Sequence, residues 1–401
     1  MIESPRPPGG GIAAVAASVA ATWIVALPAM LLGAMAVLLQ HDLAFGAREL
    51  GIAIAVTFAT GGLVAVPIGR LADRVGAQVT IRLGLAFTGV ALLGIALATD
   101  GWLRLAAWMA FAGAAVTTCQ VGTNVLITRA VPVARRGVAF GIKQSAVPLA
   151  SMGAGIALPV IGVTFGWQAA FLGAAVAVPL IAVVIPEAGP HVKARAIAEQ
   201  GELPIGSLAL LAAGVAFASA GGNVTPAFLV PSIVDRGIDP AAAGLVLAVG
   251  SLVGVAARIA AGWLGDHLAR SSLSVVAAML AMGAVGYLGL AVAHDPVLIV
   301  ACAALAFGGG WGWAGLMLLA VSQLAPLQPG RAMGIVQVGP MSGAVAGPLI
   351  FGFVAEELGF TAAWVIAAVL ALIGGALILT TRRRVRRRGE AEPVGGSPAV
   401  Q

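Results

Sequence analysis

LGIAIAVTFATGGLVAVPIGRLADRVG, residues 50–76, is the stretch that decides the fold. Its first twenty residues, Leu50 to Gly69, carry no charge; Arg70, Asp73 and Arg74 then follow within five positions. An uncharged run of about 20 residues is the length at which a helix crosses a ~30 Å hydrocarbon core. The run does not alternate polar with apolar, so it does not read as a barrel strand. Its Gly and Ala content suits helices that pack through small residues.

Similar runs fill the chain. The first half has Ile12–Leu39, Leu50–Gly69, Val79–Ala98, Leu105–Thr128, Val138–Val163 and Ala169–Ile185; the second has Leu208–Val234, Ala241–Gly262, Leu273–Ala293, Val297–Leu319, Met333–Phe353 and Ala362–Leu379. The expected fold is therefore an all-α, polytopic membrane protein with twelve transmembrane helices. Over 401 residues, 60% are hydrophobic and 9% charged, and mean hydropathy is +1.04. A soluble domain has too little interior to hide that surface. The first run is too long for a signal-peptide core and is expected to stay as a spanning helix.

The net charge of +6 and a pI near 10.6 come from arginines placed as membrane topology places them, so no nucleic-acid partner is expected. Arg6, Arg70, Arg74, Arg82, Arg129, Arg135, Arg136, Lys193, Arg195, Arg258, Arg270 and Arg331 fall toward one side; Arg48, Arg104 and Arg236 fall toward the other. The imbalance puts both termini in the cytoplasm, in an inner membrane. Arg382, Arg383, Arg384, Arg386, Arg387 and Arg388 read as a stop-transfer anchor near anionic lipid.

Cys119 and Cys302 lie in apolar runs and read as packing residues; His41, His191, His267 and His294 lie at loops or segment ends. No metal-ligand spacing, cofactor motif or nucleophile–base cluster is present, so neither an enzyme nor a metal or cofactor site is expected.

The two halves repeat at a constant shift. Asp73 and Asp266 differ by 193; the same shift pairs Asp42 with Asp235, Gly51 with Gly244, Gly69 with Gly262, Gly141 with Gly334, Gln144 with Gln337, and Gly166 with Gly359. Two parallel six-helix repeats around a central cavity follow. Their expected bounds are 1–185 and 207–381, joined by a cytoplasmic linker, 186–206, and ending in a basic, disordered tail, 382–401. Rocking one bundle against the other would expose the cavity to each side in turn, the behaviour of a carrier that works as a monomer.

Gly69-Arg70-Leu71-Ala72-Asp73-Arg74-Val75-Gly76 resembles the signature between helices two and three of the major facilitator superfamily of secondary transporters, Gly-x-Leu-Ala-Asp-Arg-x-Gly; Gly262-Trp263-Leu264-Gly265-Asp266-His267 is its weaker copy. The resemblance covers the whole chain through span number, repeat and linker. It departs at Ala77 and Gln78, where typical members carry basic residues. The resemblance implies a gate at Gly69, Arg70, Asp73, Arg74, Gly76, Gly262 and Asp266. Gly69 would let neighbouring helices touch, and Asp73 would complement a helix amino terminus. Arg258, at the end of the eighth run, is a further gate residue.

Lys143 is the most unusual residue. It lies about 10 Å along a helix from Arg136. A Lys inside a span faces water, a partner or a substrate. Three readings stay open: a snorkelling or gate residue, a contact to an anionic substrate, and a coupling residue. No Asp or Glu lies at the centre of a run, so no carboxylate relay is visible. The only deep charge is positive, which tilts the substrate toward an organic anion moved actively or by facilitation, with a proton as the candidate coupling ion. Candidate substrate contacts are Gln120, Asn124, Lys143, Gln144, Asn223, Thr225, Trp311 and Gln337. The runner-up is proton-coupled efflux of lipophilic compounds, although Pro148-Leu149-Ala150-Ser151-Met152-Gly153 does not match the helix-five motif of drug-efflux relatives. A non-transporting receptor or scaffold is the alternative of another class.

Overall fold

In hydrocarbon no water satisfies a backbone N–H or C=O, so a spanning chain closes its hydrogen bonds within helices or a closed barrel. The computed structural model describes residues 10–132, 135–186, 203–267, 272–324 and 329–391, and every regular element among them is helical. Residues 187–202 of the linker and the tail beyond Ala391 lie outside the described residues.

The first half runs α1 (Gly10–Ala34), α2 (Ala36–Leu43), α3 (Ala47–Val75), α4 (Ala77–Leu97), α5 (Trp102–Ala130), α6 (Arg136–Gln144), α7 (Ala146–Ala157), a π-helical turn (Leu158–Gly162), α8 (Val163–Phe165) and α9 (Trp167–Val183). The second runs α10 (Ile205–Val234), α11 (Pro240–His267), α12 (Ser272–Val292), α13 (Pro296–Leu305), a π-helical stretch (Ala306–Trp311), α14 (Ala314–Leu324) and α15 (Pro329–Ala391). Among the described residues, ten helices are long and apolar enough to span a bilayer. One of them, α15, turns at Gly359 into two arms, and the apolar α9 has 17 residues. Separating the arms and adding α9 yields helical segments at all twelve positions read from the sequence. Within the expected tail, 382–401, the described residues are helical: α15 continues through the arginine run to Ala391. Arginine is a good helix former, and the preceding span supplies the nucleus.

The repeat is written into the backbone. Among the described residues five have positive φ: Ala44 (50°), Gly76 (87°), Gly166 (82°), Gly237 (81°) and Gly359 (83°). The shift of 193 pairs Ala44 with Gly237 and Gly166 with Gly359. Gly76, Gly166 and Gly359 share one conformation, with ψ of 167°, 162° and 165°. Each joins two helices with no intervening loop, a corner that a residue without Cβ makes at no steric cost.

The halves meet through glycine. A Cβ on Gly33 of α1 would lie 2.4 Å from the Pro226 carbonyl oxygen of α10; one on Gly51 of α3 would lie 2.3 Å from that of Pro348 on α15. A Cβ on Gly155 of α7 would lie 2.6 Å from the Gly244 carbonyl oxygen of α11, and one on Gly244 would lie 2.7 Å from that of Gly155. These contacts sit on the face opposite the chain ends, here the distal face. Toward the terminal face, a Cβ on Gly62, Gly69, Gly141 or Gly334 would meet nothing within 4 Å. The described glycine contacts between the halves are thus close on the distal side. The close approach expected at Gly69 is absent in this state; Gly51, one repeat position from Gly244, makes it instead.

Ala44 holds a left-handed conformation at a steric cost of roughly 1–2 kcal/mol. Ala44→Gly is expected to be neutral or to stabilise by up to ~1 kcal/mol, and Gly359→Ala, whose Cβ meets open space, to destabilise by about 1–2 kcal/mol through φ alone. Thermal unfolding in detergent reads both; a tolerated Gly359→Ala would remove the backbone reason for that corner.

Candidate functional site

Span five is built to break. α6 ends at Gln144 and α7 begins at Ala146; between them the Ser145 amide reaches back to the carbonyls of Gly141 and Ile142, both at 3.2 Å. Just before this break, Lys143 turns inward with 1% of its surface exposed. Its Nζ donates to Gln120 Oε1 and Asn124 Oδ1, both at 2.6 Å. The two acceptors are four residues apart, on one face of α5. Lys143 therefore does not snorkel. A buried ammonium is costly unless hydrogen-bonded, and here neutral amide dipoles hold it. Lys143 has no carboxylate partner among the described residues. An ammonium has three donors, and two are used within the protein.

Arg258 of α11 reaches the same turn from the other half. Nη1 donates to the Gln144 carbonyl at 2.9 Å, and Nη2 to the Trp311 carbonyl at 3.1 Å. The guanidinium carbon lies 4.8 Å from the centroid of the Trp311 ring, a cation–π contact. Trp311 closes the π-helical stretch, and its Nε1 points to Asn223 Oδ1 at 3.4 Å. Asn223 Nδ2 donates to Ser219 O at 2.9 Å and Ser219 Oγ at 2.7 Å, and Ser219 Oγ donates to Pro340 O at 2.9 Å. Arg258 thus reaches Gln144, the neighbour of Lys143, from the other half, and a polar string runs from there into α15.

Six of the eight predicted contact residues, Gln120, Asn124, Lys143, Gln144, Asn223 and Trp311, join this arrangement. Thr225 does not. It is fully buried and donates to Tyr287 Oη at 3.3 Å, a bond between α10 and α12 inside the second half. Gln337 is exposed one turn before Pro340, near the string and joined to it by no described bond. Asn124 is also exposed. Polar side chains on spans are costly in lipid, so Asn124 and Gln337 face space that water can reach. A groove of about 650 Å³ between α10 and α15, lined by Leu203, Ala212, Arg331 and Val338, opens beside the Gln337 turn and is not itself the polar site.

The predicted gate is divided. Arg70, Asp73 and Arg74 are exposed on the terminal side, Gly76 makes a corner, and Asp73 is engaged in an interaction. The surroundings of Gly262 and Asp266, in the last turns of α11, lie outside the described residues. Two links went unread in the sequence. Ser251 Oγ donates to Ser151 Oγ at 2.8 Å across the seam, both side chains fully buried. On the distal face, Glu356 Oε2 accepts from the Arg48 amide at 3.0 Å, and the Arg48 guanidinium pairs with Glu357. The same face carries Asp42, whose carboxyl is held below the usual range by hydrogen bonds from His41 and Trp167.

Removing one partner of a buried charge costs more than replacing the charge by an apolar isostere. Gln120→Leu is therefore expected to lower stability by roughly 1.5–3 kcal/mol, and Lys143→Met by less. Thermal melting of the two variants side by side decides; a larger loss in Lys143→Met contradicts a cation held by dipoles alone.

The model of the Major Facilitator Superfamily matches residues 14–212 and again 211–401. An uncharacterised MFS-type transporter of Mycobacterium tuberculosis is 28% identical over 324 residues, covering 77% of this chain and 72% of its own length. Monocarboxylate transporter 11 of Homo sapiens is 28% identical over 345 residues, covering 77% and 69%. The D-galactonate transporter of Escherichia coli is 30% identical over 162 residues, 39% of this chain and 37% of its own. Among solved structures, a bacterial homologue of the human lysosomal transporter Spinster, inward-facing and unoccupied, superposes with a TM-score of 0.73 at 15% identity over 96% of this chain and 99% of its own. A nucleoside transporter does so at 0.72 and 13% identity over 93% and 99%.

Proposed function

The chain belongs to the Major Facilitator Superfamily, and from that premise we propose that this multi-pass membrane transporter carries a small organic anion, a carboxylate, by alternating access. The observation that carries the reading is Lys143: a buried cation with no carboxylate beside it among the described residues, one donor unspent, and a second cation, Arg258, on the facing half. Such a pair is short of negative charge, and a carboxylate supplies it with charge-assisted hydrogen bonds. The names of two relatives, a monocarboxylate transporter and a D-galactonate transporter, both denote carboxylates and support the same class. Lipophilic cations would meet repulsion here, which disfavours the efflux reading.

The moving bodies are residues 1–185 and 207–381, joined by the linker 186–206, with 382–401 as the tail. In our reading the terminal face is cytoplasmic, the membrane is the inner one, and the working unit is a monomer. The distal seam is shut, so this is the state open toward the cytoplasm. Arg70, Asp73 and Arg74, with Gly262 and Asp266, would close that side in the opposite state. With no carboxylate at mid-span in the sequence, we read facilitated movement or exchange rather than a proton relay through the membrane centre.

The test is flux of labelled organic carboxylates into proteoliposomes. Ser151→Cys combined with Ser251→Cys places two thiols across the shut seam, and their disulfide is expected to stop flux until reductant restores it. Undiminished flux through the cross-linked protein would defeat alternating access. For the substrate class, a carboxylate that binds only the native state raises the melting temperature, and Lys143→Ala abolishes that shift. Stabilisation by lipophilic cations and by no anion would return the assignment to efflux.

A further inference from the structure

We propose that Pro148 is a positioning residue for the conformational cycle: it keeps the Gln144 carbonyl free, and Arg258 uses that carbonyl to tie the two halves together. The inference rests on the alternating-access reading above and names a tie between the halves, at the polar site, that holds this state. A helical carbonyl is normally taken by the N–H four residues on. For Gln144 that residue is Pro148, which has no N–H. The ladder is interrupted between α6 and α7 at Ser145, and the Gln144 carbonyl is left without a helical donor. Arg258 Nη1 takes it, at 2.9 Å, from the opposite half.

The other arm of the same guanidinium is anchored in its own half. Nη2 holds the Trp311 carbonyl, at the end of the π-helical stretch, where the chain turns through Gly312 and Trp313 before α14 begins. That irregular turn leaves a second carbonyl outside a regular ladder. Arg258 is thus a fork with one tine in each half, and each tine sits on a carbonyl that a local defect of a helix set free. Arg258 Nε and Gln144 Oε1 are both buried and bonded to no partner among the described residues, so the fork is held by these two carbonyl bonds and the Trp311 ring. Without Pro148, an N–H at 148 would draw the Gln144 carbonyl back into the helix and straighten the break.

The tie exists in this state, with the distal seam shut, so weakening it favours the distally open state. Ser251→Cys reports that state: Ser251 is fully buried in the shut seam, and a membrane-impermeant maleimide added from the distal face reaches it only when the seam parts. A hydrogen bond to a charged group contributes enough for about a tenfold change in population. In the Ser251→Cys background, without substrate, Pro148→Ala and Arg258→Ala are each expected to speed labelling by roughly tenfold, and Arg258→Lys, which cannot fork, by less. The double variant Pro148→Ala/Arg258→Ala is expected to label no faster than Arg258→Ala, because Pro148 acts only through Arg258. Pro148→Ala labelling at the parental rate overturns the proposal, as does a further acceleration by Pro148→Ala in the Arg258→Ala background, which would show that the kink acts by itself. If Pro148→Ala fails to fold, labelling of Arg258→Lys at the parental rate overturns it. Labelling in no variant, the parent included, overturns alternating access itself and this proposal with it.

Discussion

A lipid bilayer offers backbone carbonyls nothing to bond to, and the rest of this structure follows from that constraint. It demands helices, and it makes each break in a helix a matter of finding a partner for the groups released. Where α6 gives way to α7 and where the π-helical stretch ends at Trp311, the carbonyls set free become acceptors for Arg258. Lys143 is solved in the same way, with side-chain amide carbonyls on α5 in place of backbone ones. Both cations are therefore stabilised by dipoles, with no counter-charge among the described residues. Neutral acceptors satisfy hydrogen-bonding directions without cancelling charge, which is what the proposed anion site requires.

The two repeats agree in backbone and diverge in chemistry. The corners at Gly166 and Gly359, and the left-handed residues Ala44 and Gly237, hold the shift of 193 to the residue. Lys143, by contrast, corresponds to Val336, Gln120 to Trp313, and Arg258 to Ala65. A corner is a steric requirement of the fold and has few solutions, whereas side chains along the seam are free to differ. The two cations occupy unlike positions in the two halves: Lys143 turns to α5 within its own half, and Arg258 crosses the seam to the Gln144 carbonyl.

The spans were legible because length and hydropathy are local properties of a run, and Lys143 was legible because a charge in an apolar run stands out. The seam glycines were not. With 55 glycines in the chain, nothing in the letters separates Gly51, which touches α15, from Gly69, which touches nothing. Thr225 reads like Asn223 in sequence, yet one faces Tyr287 inside its own half and the other lies on the polar string; only packing distinguishes them. The partner of Arg258 was hidden for another reason: it is a backbone atom, exposed by Pro148 four residues away. The arginine run after Leu379 reads in sequence only as a basic anchor; that it is helical follows from the propensity of arginine and from the adjoining span, which a charge count does not report.

The two sides of the seam are held by different physics. Distally, glycines bring backbone against backbone at Gly33, Gly51, Gly155 and Gly244, with one serine pair between them. Such contacts act over short range, and lipid tails replace much of their dispersion when they part. The Arg48–Glu357 pair at that rim is partly exposed, so solvent screening leaves it little weight. Among the described residues the distal contacts are individually weak, as the proposed opening of that surface would require. At the polar site, the described tie between the halves is a half-buried guanidinium on a carbonyl with no other donor among the described residues. Losing that bond in a dry environment costs more than parting any one glycine contact. The balance between states therefore turns less on the extensive distal surface than on one hydrogen bond beside Lys143, at the place where an arriving anion would act.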